Sequence, residues 1–225
     1  MDLRNSTAWS RLAPWAGIAF VVLLVAGFAT FPGTPEYDEP DAWQAFWADG
    51  DNRIQALIAG YLIILSSFAF LWFGRALAAR LQPEDGVRDA LGSISEAAAT
   101  LFPAFVLIFV IVGISIPASV EFGDAPVPGT AELAIQMDQL AFGLLLIGGS
   151  LSAGVLTGAV SELARRRRAL PQWLVWAGFA VAALQVLGVM FFPFLLILHW
   201  TLVTSIVLLL RARSASAPAA APTTT

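Results

Sequence analysis

The chain contains no cysteine, no lysine and a single histidine. Each absence closes off some chemistry. Without cysteine there is no disulfide, no thiolate metal site and no cysteine nucleophile. Without lysine no Schiff base can form with retinal or pyridoxal phosphate. One histidine cannot supply both axial ligands of a haem within a monomer. Charge is also scarce: 12% of residues are charged, where soluble domains carry roughly 25%. The net charge of -4 says little about partners, because opposite faces of a membrane protein carry opposite charges.

Apolar sequence is plentiful, at 58% of the chain. It falls into six runs, about residues 15–31, 54–73, 101–120, 140–160, 173–191 and 192–210. About 20 apolar residues cross a bilayer as a helix, so each run reads as a membrane span. The last two runs touch, and Phe192-Pro193 is the natural tight turn between them. The expected fold is all-α, a polytopic six-transmembrane-helix bundle. Residues 1–210 form one membrane domain, and 211–225 form a small-residue, low-complexity tail expected to be disordered. The first run has a positive start. Its apolar stretch exceeds that of a signal peptide, and no small-x-small cleavage site follows, so it is expected to be retained.

The charges test the count of six. Arg4 and Arg11 precede the first run, and Arg75, Arg80 and Arg88 lie between the second and third. Arg165, Arg166, Arg167 and Arg168 lie between the fourth and fifth, and Arg211 and Arg213 follow the sixth. The alternate connections are acidic. They hold Glu36, Asp38, Glu39, Asp41, Asp49 and Asp51, and then Glu121, Asp124 and Glu132. Five or seven spans would break the alternation. The positive-inside rule then places both termini in the cytoplasm. All-arginine basic residues and abundant alanine associate with GC-rich bacterial genomes, so the expected location is a bacterial inner membrane.

The longest acidic connection contains "DAWQAFWADGDNR". Trp43, Phe46 and Trp47 share one helical face. Asp41 suits an N-cap and Gly50 a stop. This predicts a short helix on the outer membrane surface with its aromatics at the headgroups. A lid over a binding site is the second reading. "DGDN" lacks the rest of a calcium loop and reads as turn and cap chemistry.

The lone His199 sits inside the sixth run. Counting 1.5 Å per helical residue from the nearest basic connection places it roughly 18 Å deep. The same ruler places Tyr61 and Gln185 at roughly 21 Å, and Ser152 and Ser150 at roughly 20 and 22 Å. These five residues could share one layer near the midplane. That layer reads either as a hydrogen-bond network pinning helices together or as a polar cavity that binds a solute or relays a proton through His199. Ser150, Gly154 and Gly158 form a small-xxx-small stripe for close helix packing. Glu96, and Asp138 with Gln136 and Gln139, are expected at wet interfaces. Pro103 and Pro117 are expected to be tolerated in the third helix and to bend it.

"GGSLSAG" on the fourth helix and His199 on the sixth resemble the rhomboid intramembrane proteases, which also have six helices. That resemblance implies serine attack by Ser150 with His199 as base. It departs from the rhomboid pattern at Leu151, where a glycine follows the serine, and at the bulky "HWTLVTS". Separately, "DAWQAFWADGDNRIQALIAGYLIILSSFAFLWFGRALAARL" and "RRRRALPQWLVWAGFAVA" resemble a family of actinobacterial six-helix integral membrane proteins grouped as a domain of unknown function. That resemblance implies topology and carries no activity.

The functional expectation is a non-enzymatic membrane protein that binds or passes a small molecule or lipid, or serves as an accessory subunit. A Ser150/His199 hydrolase and a purely structural or assembly protein are the alternatives. The expected partners are the lipid bilayer and a small-molecule or lipid ligand. No nucleic acid, cofactor or metal is expected.

Overall fold

A computed structural model of the chain describes residues 7–82 and 90–215. Arg4, Arg88 and the end of the tail lie outside them. The described residues contain no strand. Six helices among them are long and apolar enough to cross a membrane. The protein is a multi-pass integral membrane protein with an all-α, six-helix bundle.

The elements follow the apolar runs but overshoot them. The first span lies in α1 (Thr7–Thr30), and the cap helix α2 (Pro40–Ala48) follows. The second span is α3 (Gly50–Arg80). The third lies in α4 (Ala90–Gly113), followed by the short α5 (Ser115–Gly123). The fourth begins as α6 (Ala131–Gly143), widens through a π-helical stretch (Leu144–Gly149) and continues as α7 (Ser150–Arg167). The fifth is α8 (Gln172–Leu184), which tightens into a 3-10 stretch (Gln185–Met190). A 3-10 turn (Pro193–Leu195) then leads into α9 (Leu196–Ala215), the sixth.

Apolar residues alone set the predicted limits, whereas the helices run on into the charged connections. The 31 residues of α3 span roughly 46 Å, beyond a hydrocarbon core of about 30 Å. The sixth helix likewise continues through Arg211 to Ala215, into the first part of the predicted tail. Pro103 is carried inside α4. Pro117 stands in the first turn of α5, where a missing N–H costs little. The third span breaks at Ile114 between them, and Ser115 Oγ donates to Val112 O at 2.7 Å. The turn between the fifth and sixth spans falls one residue early, at Phe191, whose φ is 62°.

The spans close into a ring: α1 packs on α3, α3 on α4, α4 on α7, α7 on α8, α8 on α9, and α9 back on α1. Phe20, Phe70, Phe102 and Phe194 are fully buried where the first, second, third and sixth spans meet. Their rings stand edge-on or tilted at centroid distances of 4.4–4.7 Å for the closest pairs. Such pairs add about 0.5–1.5 kcal/mol beyond burial.

The small-residue stripe does what its spacing predicts. Gly154 faces Gln185 and the Ala182 carbonyl, and Gly158 faces Ala182. Ser150 lies against Gly188, and Ser161 continues the seam against Gly178. Fourth and fifth spans therefore meet along a close seam, tightest at Gly178 and Gly188, where an added carbon has no room. A β-carbon on Gly178 would overlap the Ser161 hydroxyl and crowd Trp200 Nε1. Gly178→Ala is expected to destabilise the protein by about 1–3 kcal/mol, the usual cost of overpacking. Adding Ser161→Ala removes the overlapping oxygen and should restore about half of that loss or more, read as thermal unfolding in detergent. Equal melting of Gly178→Ala and the parent would disprove the tight seam.

Candidate functional site: a chamber beneath an aromatic cap

The predicted midplane layer is not assembled. Ser150, Ser152 and Gln185 are buried, but Tyr61 is 62% exposed on the outer surface of the bundle. His199 is exposed as well. Sequence depth fixes height along a helix but not the direction a side chain faces, and Tyr61 and His199 face outward. His199 Nδ1 lies 3.1 Å from Leu195 O, one turn back on its own chain. A carbonyl can only accept, so that bond needs the proton on Nδ1. Ser152 Oγ donates to Gly148 O and Gln185 Nε2 to Pro193 O. Ser150 Oγ is buried against Gly188 without a hydrogen-bond partner. The serine–histidine hydrogen bond of the rhomboid-like alternative is therefore not formed.

The polar chemistry gathers instead at the acidic end. A small cavity lies there between four spans. Phe28 and Phe31 line it from the first, Ile63 from the second, Phe109, Val110, Gly113 and Ile114 from the third, and Asp138 and Phe142 from the fourth. Its volume is about 40 Å³, in a measure where one water needs roughly 10–15 Å³. The break of the third span at Gly113-Ile114 leaves this space beside the straight helices. Phe28 stacks on Phe109 at 6.0 Å, and Phe109 meets Phe142 edge-on at 5.3 Å. Asp138 is the only charged residue in the lining.

Asp138 is 9% exposed, which corrects the wet-interface expectation. Its place on α6 explains the burial. Ala131, Ala134, Asp138, Ala141 and Leu145 are all buried and recur at spacings of three and four. The carboxylate thus occupies a core position of its helix. Tyr37 Oη donates to Asp138 Oδ2 at 2.7 Å. No described arginine pairs with Asp138, since the ion pairs are Arg53 with Glu121 and Arg165 and Arg166 with Glu162.

Tyr37 belongs to the cap. Its ring stacks on Trp43 at 6.0 Å, and Trp43 Nε1 donates to Glu36 O at 3.0 Å. The structure turns Trp43, Phe46 and Trp47 inward, which corrects their expected headgroup placement. They are buried against Ala56 of α3, Ile116 of α5 and Ala131 and Ala134 of α6. The amphipathic face was read correctly, but its apolar partner is protein rather than lipid. Phe31 packs against this cluster and also lines the chamber. The helix itself starts with Pro40 rather than after an Asp41 cap. Asp49 caps the next helix by accepting from the Asp51 amide at 2.9 Å, and Gly50 opens that helix instead of ending α2.

Arg53 and Asn52 hold the cap down. Arg53 Nη1 donates to Trp47 O at 2.7 Å and to Ala48 O at 2.8 Å, while its Nε pairs with Glu121 at 2.5 Å. Asn52 Nδ2 donates to Phe46 O at 3.2 Å. Three consecutive terminal carbonyls of α2 are so satisfied, and a cation sits at the negative end of the helix. Gln44 Nε2 adds a bond to Gly129 O at 2.5 Å. The sequence offered one signal for this clamp: Arg53 is the single arginine in an otherwise acidic pair of connections.

Comparison with protein-family models, with curated protein sequences and with solved structures finds no match. The chemistry of the site has to be read from its own residues.

Two measurements check this geometry. Arg53→Ala should speed amide hydrogen exchange across Pro40–Ala48 by about tenfold or more while leaving the arginine-rich end unchanged, because charge-assisted bonds contribute about 1.5–3 kcal/mol. Uniform exchange in both proteins would refute the clamp. The second is a titration. Burial, the bond to Asp138 and that carboxylate's charge, in that order, push the Tyr37 phenol from 10.0 up to about 12. A raised folded-state value favours folding below pH 10, and that contribution is lost as pH rises through about 12. In a Tyr61→Phe background Tyr37 is the sole tyrosine. Its phenolate absorbance should appear near pH 12, and Asp138→Asn should bring the midpoint down.

Proposed function

We propose that the protein is a non-enzymatic membrane protein that binds a small molecule in the chamber beneath the aromatic cap. The observation that carries this reading is Asp138, a single buried carboxylate in a cavity walled by phenylalanines. An apolar lining with one placed polar group is the pattern of small-ligand sites, and the volume of about 40 Å³ restricts the ligand to a very small one. The cap supports the reading, because Phe31 packs against it while lining the chamber and Tyr37 reaches from it to Asp138. The outward-facing His199 and the unpartnered Ser150 weigh against the hydrolase alternative. A purely structural role would account for the bond from Tyr37 to Asp138 but not for the apolar cavity left beside that carboxylate.

By the charge asymmetry of its connections, the acidic end faces away from the cytoplasm of a bacterial inner membrane. The resemblance to the actinobacterial six-helix family agrees with that topology and adds no activity.

The absence of cysteine makes a direct test simple. Phe142 lines the chamber and is half-buried, so Phe142→Cys puts a lone thiol at its wall. It should react with a small water-soluble thiol reagent in the folded protein, whereas Leu156→Cys, fully buried in the core, should not. A Phe142→Cys thiol as inert as the Leu156→Cys thiol would mean that the chamber is sealed, and the binding reading would fall.

A further inference from the structure

We propose that the chamber is a site for a small organic ammonium group. This rests on the binding reading above and names its ligand class. Three observations point the same way. Asp138 is buried, accepts one hydrogen bond from a neutral phenol, and has no cationic partner among the described residues. A buried carboxylate so placed is under-compensated, and a bound cation would complete it. Phe28, Phe31, Phe109 and Phe142 supply the walls. Aromatic faces attract alkylammonium ions while still packing against their methyl groups. At the same end of the bundle, nine carboxylates in the acidic connections stand against one arginine, and that arginine is bound to Glu121. Such a surface concentrates cations and repels anions.

The donor set argues against a metal ion. Calcium needs six to eight oxygen ligands and magnesium a near-octahedral shell, and the lining offers one carboxylate among apolar side chains. No group of metal-ligating residues occurs among the described residues. The volume limits the ligand to a few heavy atoms. The ammonium could belong to a free amine or to a lipid headgroup reaching in at the membrane surface. In either case the carboxylate accepts from the ammonium N–H and the rings enclose its carbon atoms.

The test uses methylammonium as probe and methanol as its neutral isostere, followed by saturation-transfer NMR on the full-length protein in lipid-free detergent. The expected result is binding of the ammonium, weakened by about tenfold or more in Asp138→Asn, with Glu132→Gln, an exposed acid at the same end, unchanged. Phe142→Trp enlarges a half-buried lining residue, narrows the chamber without touching the charge and should abolish binding. That second variant keeps the test decisive if Asp138→Asn folds poorly. Equal binding of both probes, insensitive to Asp138→Asn but blocked by Phe142→Trp, would overturn the ammonium assignment and leave the chamber reading standing. Binding of neither probe would overturn both. Loss of ammonium binding in Glu132→Gln to the same extent would reduce the effect to surface charge and also overturn it. Given binding, nanodiscs separate the sources. Weaker probe binding in phosphatidylethanolamine than in phosphatidylcholine, which has the same net charge but no ammonium N–H, would assign the site to a lipid headgroup, and equal binding to a free amine.

Discussion

Hydrocarbon offers no hydrogen-bond partner, and this single constraint orders the molecule. Backbone groups are satisfied by making every span a helix. Many of the buried hydroxyls bond back to their own chain: Ser66 and Ser67 to Ile63 O, Ser95 to Gly92 O, Thr157 to Ala153 O. Others, at Ser150, Ser161, Thr204 and Ser205, are turned into the interior instead of toward lipid. Charge is expelled to the two ends. The exception is Asp138, and its burial sets the character of the site.

The irregular stretches of helix lie where they have consequences. The third span breaks at Ile114 and leaves room for the chamber. The fourth widens into a π-helical stretch just below Phe142, a feature frequent at functional sites. The fifth tightens into a 3-10 stretch that packs against it, with Gly188 lying on Ser150 and near the Leu146 carbonyl. Close packing along the Ser150–Gly158 seam therefore extends into the irregular region, and glycine is what lets the two backbones approach there.

The cap and the chamber depend on each other. Arg53 fixes the far end of α2, Gln44 ties its side to Gly129, and Tyr37 joins the segment before it to Asp138. The cap buries three large aromatics that would otherwise need a membrane or a partner. In return Tyr37 provides a hydrogen bond to a carboxylate that would otherwise stand in an apolar space with little compensation. The clamp arginine adds no charge to the site, because Glu121 neutralises it.

The sequence by itself determined the number of spans, their order and the sign of each end. Those follow from run length and charge, which need only a bilayer and no neighbours. It also determined the small-residue seam and the amphipathic face of α2, since helical period is local. Only the tertiary structure decided which way a polar residue at a given depth points. Tyr61 and His199 share a height with Ser150 and Gln185 but lie on outward faces, because the azimuth of a helix is set by its neighbours. The pairing of Tyr37 with Asp138, separated by 101 positions, rests on the folding of α2 over the bundle. Asp138 was read as a wet interfacial residue, and its place in the buried register of α6 became visible only once the neighbours of that helix were known. That the core there contains a cavity depends on the break in the third span, which no residue of the fourth encodes.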